Sequence, residues 1–155
     1  MTSKTVIFLS AIVLASMLVA GCGPSQGQGT RLQIKVENAD YVGAITFTLM
    51  YDPSVIEVTG VRRGPLSLGG ALLWGVELPG QLSVVIRHDY YLNGDGTLIE
   101  VSYHVLDSGG SSTLTVHAIE ALSLRTGDAV QVQVSEGGFS ASDMSVKAPE
   151  IIFGT

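Results

Sequence analysis

The apolar residues of this chain follow two patterns, one at its start and another beyond residue 30. Behind Lys4, residues 5–20 are apolar except for Thr5, Ser10 and Ser16. A membrane span needs roughly 20 such residues, so the run has instead the length and positive start of an export signal. Residues 23–30 hold Gly, Pro, Ser, Gln and Thr without periodicity, the composition of a flexible tether.

From Arg31 onward apolar and polar residues alternate, the period of a half-buried strand. Residues 32–37 put Leu32, Ile34 and Val36 on one face. Residues 44–51 put Ile45, Phe47, Leu49 and Tyr51 inward, with Thr46, Thr48 and Met50 outward. Asp52, Pro53 and Ser54 make a turn, and residues 55–61 continue the alternation until Arg62, Arg63, Gly64 and Pro65 break it. Residues 71–77 predict another strand, Pro79 and Gly80 a turn, and residues 81–87 a strand with Leu82, Val84 and Ile86 on one face. Asn93, Gly94, Asp95 and Gly96 predict a tight turn into residues 97–105. Residues 113–119 align Leu114, Val116 and Ala118, and residues 129–134 close the domain. Residues 142–155 carry only the apolar Ile151, Ile152 and Phe153 and read as a tail or a final edge strand. No window sustains helical spacing. About eight or nine short strands between turn residues predict an all-β fold, an antiparallel two-sheet β-sandwich over residues 31–141.

Cysteine usage sharpens the reading of the leader. Cys22 is the only cysteine, so a disulfide within one molecule is impossible. The sequence Leu18, Val19, Ala20, Gly21, Cys22 resembles the lipobox of bacterial lipoproteins. That resemblance implies a signal peptide over residues 1–21, cleavage after Gly21, and diacylglycerol on the Cys22 thiol, with the new amino group often acylated. Acyl chains contribute about 0.8 kcal/mol per buried CH₂, so several of them would hold residues 22–30 and the domain beyond them on a bilayer. The expectation is an exported, lipid-anchored protein whose domain lies outside the cytoplasm or at the cell surface. Cleavage leaves 134 of the 155 residues, enough to bury a core without disulfides or metals. Loss of Lys4 takes the formal charge from −6 to −7. No basic cluster faces phosphates, which argues against nucleic acid.

The order of strands and turns then resembles a family. Gly43, Ile45, Phe47, Leu49, Tyr51, Asp52, Pro53, Val55, Ile56 and Glu57 are similar to the opening signature of cohesin domains. Gly94, Gly96, Leu98, Val101, Tyr103 and Val105 resemble a later cohesin stretch, and residues 130–139, with Gly138 before Phe139, its last strand. The resemblance implies a jelly-roll β-sandwich that binds dockerin modules of secreted proteins through one sheet face. It assigns that face to Thr46, Thr48 and Met50, with Ser83, Val85 and Arg87, and with Thr115, His117 and Ile119. Such a row is apolar for a sheet facing water and suggests a contact surface, although ordinary β-formers on a solvated face read the same way.

Other chemistry is weaker. Asn93 to Gly96 looks like the heart of a calcium loop, but Tyr91 and Ser102 stand where its first and last ligands belong. His88, His104 and His117 share no metal-ligand spacing, so no metal or cofactor is expected. No G-x-S-x-G elbow offers a nucleophile, and nothing in the sequence pairs Asp89, Glu100 and Glu120 as glycosidase acids. An enzyme is the last choice. Aromatic residues leave a second binding reading, because sugar rings stack on exposed aromatic platforms. Tyr90 and Tyr91 form the exposed pair, while Trp74 reads first as a plug of the core and second as part of that platform. The rival functions are therefore a polysaccharide-binding module of the envelope and a structural envelope lipoprotein.

Overall fold

A computed structural model describes residues 30–154. The leader, Cys22 and most of the tether therefore lie outside the described residues. Nine strands occur among them: β1 Thr30–Met50, β2 Ile56–Arg63, β3 Ala71–Leu78, β4 Gln81–Val105, β5 Ser111–Ser123, β6 Val132–Val134, β7 Gly137–Ser140, β8 Ser145–Lys147 and β9 Glu150–Phe153. A single 3₁₀ turn, Pro65–Ser67, follows β2. No helix among the described residues is long and apolar enough to cross a membrane.

Two long strands organise everything else. β1 runs antiparallel to β4 along almost its whole length, but the register slips repeatedly between Val36 and Ala44. There Asn38 and Tyr41 take positive φ (58° and 52°), and opposite them Tyr91, Gly94 and Gly96 do the same. Each strand kinks at this crossing and continues in the other layer. The first half of β1 lies between β4 and β9, with β2 beyond β4 and β6 beyond β9. The second half lies between β4 and β5, with β3 at one edge and β7 and β8 past β5.

Both halves point their alternate apolar residues into one core. Leu32, Ile34 and Val36 meet Ile45, Phe47 and Leu49 there, together with Leu82, Val84, Ile86, Ile99 and Val101 from β4. This is the alternation read from the sequence, and burial of each large side chain contributes about 1.5–3 kcal/mol.

The Asp52 turn is built as its residues suggest. Ser54 donates from both its hydroxyl (2.6 Å) and its amide (2.9 Å) to Asp52 Oδ1. Those two donations hold the Asp52 carboxyl below its ordinary value. The Tyr51 amide donates to the Gly80 carbonyl at 2.9 Å. Gly80 has φ +82°, and a Cβ there would stand 2.6 Å from the Tyr51 carbonyl oxygen.

Three expectations change. Asn93 to Gly96 is not a turn between separate strands but the kinked middle of β4, where Asp95 Oδ1 accepts the Asn38 amide at 2.7 Å. Residues 142–155 form two strands instead of a tail: β8 is an edge strand on β7, whereas β9 lies between β1 and β6 and buries Ile151 and Phe153. Its parallel pairing with Lys35, Val36 and Glu37 extends the compact unit from residue 141 to Phe153. Trp74 is not a core plug: it is 43% exposed, because β3 is an edge strand bonded to β4 alone.

Candidate functional site

The outward side of the layer β3–β4–β1–β5 is a four-strand surface whose composition follows from the register. Directly paired residues on neighbouring antiparallel strands project to the same side. One row is Ala71, Arg87, Ala44 and Leu122, and the next is Leu73, Val85, Thr46 and Glu120. Below these come Gly75, Ser83, Thr48 and His117, then Leu78, Gln81, Met50 and Thr115.

The structure thus brings together Thr46, Thr48, Met50, Ser83, Val85, Arg87, Thr115 and His117. Thr115 Oγ1 lies 3.1 Å from His117 Nε2, which ties the β5 edge of the face. Ile119 does not belong to the face. Thr46 pairs with Glu120 while Thr48 pairs with His117, so β5 carries one extra residue at this point. Such a bulge reverses which side the following residues face. Ile119 packs on the core and Glu120 takes its place outside. The side chain of Ala118 lies outside the described ones.

Alternation alone misses part of the surface. Leu73 is 68% exposed, and Leu78 and Leu122 are also exposed. Leu73 was legible once β3 was known to be an edge; Leu122 required the bulge. Within these rows only Arg87 and Glu120 carry full charge, and they stand toward one end. A charge-poor centre of Leu, Val, Met and Thr is the make-up of an interface core. Gly43 closes the same end, because a Cβ there would lie 2.2 Å from Cγ of Leu124.

The proposed aromatic platform is not assembled. Tyr90 is exposed, and Tyr91 instead packs on Tyr41 with ring centroids 4.5 Å apart. Arg125 covers Tyr41 at 3.9 Å. Trp74 pairs with Val84, well down β4 from this cluster. His88 braces β4 where it approaches its kink. Its Nδ1 accepts the Tyr90 and Tyr91 amides, both at 3.3 Å, so Nε2 is the nitrogen that donates to the Leu68 carbonyl at 3.0 Å.

The carboxylates are dispersed. Glu100 is bound by Arg62 on the other layer, at 2.5 Å from Arg62 Nε, while Glu120 sits on the docking-type face and Asp89 where β4 leaves it. Among the described residues no group of three or more His, Cys, Asp or Glu side chains converges on a metal position.

Comparison with known proteins agrees with this geometry. The family model described as "Cohesin domain" matches residues 22–141. A non-cellulosomal cohesin from the hyperthermophilic archaeon Archaeoglobus fulgidus is similar at 29% identity, with a TM-score of 0.58 over 81% of each chain. A type I cohesin from Pseudobacteroides cellulosolvens matches at 12% identity and a TM-score of 0.56, covering 80% of each chain. The sixth cohesin of an Acetivibrio cellulolyticus scaffoldin, solved in complex with a dockerin, matches at 12% identity and a TM-score of 0.52, covering 81% of this chain and 88% of that one. No curated protein sequence matches the chain.

Proposed function

The chain belongs to the cohesin family, and on that premise we propose that it is a non-catalytic docking module. It holds a dockerin-bearing secreted protein against the cell envelope, to which it is tied by a lipid on Cys22. The observation that carries this reading is the charge-poor outward face of β3–β4–β1–β5, with Val85, Thr46, Ser83 and Thr48 at its centre and Leu73 and Met50 beside them. Support comes also from an Acetivibrio cellulolyticus relative captured with a dockerin. A tether of seven residues, 23–29, extends at most about 25 Å, which keeps any docked cargo close to the bilayer.

The test has two arms. The domain is immobilised and exposed to exported proteins of the same cell, with retained proteins identified and then titrated singly. A dockerin-bearing protein should be retained, and retention of glycan alone would overturn the proposal. In cells, replacing Cys22→Ala should abolish labelling by a palmitate analogue and release the protein from membranes; unchanged membrane association refutes the anchor.

A further inference from the structure

The side of the sandwich between β2 and β3 carries a groove distinct from the outward face of β3–β4–β1–β5. β2 and β3 are edge strands of the two opposed layers, and each bonds only to β4. Between them lies a groove of about 500 Å³ lined by Val61, Arg62, Arg63, Gly70, Leu72 and Trp74, with Ala71 at its rim. Leu72 and Val61 pack on the core and floor the groove. Trp74 pairs with the inward-facing Val84, so its ring projects to the core side of β3, opposite to Leu73, and emerges at the edge with 43% of its surface exposed.

The charge of this groove runs against that of the protein. The chain has a formal charge of −6, yet the lining holds two arginines and no carboxylate. Arg62 is already spent on Glu100. Arg63 is not. Its Nη1 donates to the Gly70 carbonyl at 2.6 Å, which fixes the guanidinium against the groove while Nε and Nη2 have no partner among the described residues. A planar fork held at one corner, with its other donors open, matches a carboxylate in two-point contact. The half-exposed indole beside it supplies the flat apolar surface on which the C–H face of a pyranose stacks. Both groups sit on strands, so little ordering is needed on binding.

We propose that the β2–β3 groove binds a carboxylated sugar residue of the uronate class, with Trp74 as its stacking platform and Arg63 as its carboxylate clamp. The site is independent of the docking reading. Loss of partner capture leaves it untouched, and its own failure leaves docking untouched.

Trp74 is the only tryptophan, so intrinsic tryptophan fluorescence reports this site alone. The protein lacking only residues 1–22 is titrated with a short oligogalacturonate, with a neutral cello-oligosaccharide of equal length, and with pentaglutamate. The expected result is a saturating fluorescence change with oligogalacturonate only. Arg63→Gln should weaken it by about tenfold or more, as loss of a charged hydrogen bond does. Arg63→Lys, which keeps the charge and loses the fork, should fall between. Calorimetry with Trp74→Ala should show the same loss by an independent readout. No response to oligogalacturonate, an equal response to the neutral sugar, or an equal response to pentaglutamate would each overturn the proposal. So would wild-type affinity in a folded Arg63→Gln variant.

Discussion

Tyr103 offers the sharpest test of the energetics of this core. Its ring is 3% exposed and meets Phe139 edge to face, with centroids 5.5 Å apart and planes at 77°. Its hydroxyl is buried and has no hydrogen-bond partner among the described residues. A buried, unpaired hydroxyl has left water without compensation, at a cost of about 1–3 kcal/mol. Tyr103→Phe removes that oxygen and keeps the ring contact. The void left is smaller than a methyl group and offsets a few tenths of a kcal/mol. The net expectation is a gain of about 1 kcal/mol. Unfolding entropy near 2.1 cal/mol/K per residue converts this, over the 125 described residues, to a rise in Tm of about 4 °C.

Alkaline pH gives a second reading of the same group. Burial raises the Tyr103 hydroxyl above its ordinary value of 10.0, so the unfolded chain ionises first as pH rises. Stability is therefore full below pH 10.0 and falls as pH climbs from there toward the folded value. Tyr51 is raised likewise by burial, so Tyr103→Phe should shallow the alkaline decline without abolishing it. Urea titrations at neutral pH and above pH 10 measure both effects, with an unchanged m-value showing that the unfolded state is the same. An unchanged or lower neutral stability would falsify the unpaired-hydroxyl account.

Three further expectations test other parts of the molecule. Leu73→Asp, an exposed change on the edge strand of the proposed docking face, should weaken partner binding at least about tenfold and move stability by no more than about 0.5 kcal/mol; titration calorimetry and a thermal melt separate the two. Asp52 has its carboxyl lowered by Ser54, so its contribution is present above the ordinary value of 3.8 and is lost as pH falls below it. Asp52→Asn should accordingly flatten the acid limb of the stability profile followed by circular dichroism. Phe153→Ala, in the buried last strand, should cost about 3–5 kcal/mol, and a denaturation midpoint close to wild type would show that β9 does not belong to the core.

Some of this was visible in the sequence and some was not, for physical reasons. Alternation in residues 44–51 and 81–87 identified the buried row and, by complement, most of the outward face of β3–β4–β1–β5, because the two sides of a strand are locked together by its period. That period says nothing about what lies beside a strand. Trp74 was misplaced for this reason, since only the pairing of β3 with β4 alone shows it to be an edge residue. The bulge that turns Ile119 inward arises from unequal pairing with β1 and has no local marker such as glycine. β9 is only Glu150–Phe153, and its place beside β1 depends on a parallel pairing more than a hundred residues away in sequence. The kink at Asn38 and Tyr41 is made by residues that do not require positive φ, and the Asp95 carboxylate that accepts the Asn38 amide belongs to another strand.

The construction of the outward face bears on the docking proposed for it. Thr46 and Thr48 stand between Ile45, Phe47 and Leu49, all essentially inaccessible to water. Their outward positions cannot shift without moving the centre of the core, where packing tolerates little displacement. Val85 and Ser83 are held the same way between Leu82, Val84 and Ile86. A surface fixed by the far side of its own strands loses little conformational freedom when a partner docks, so more of its modest apolar area is available as affinity.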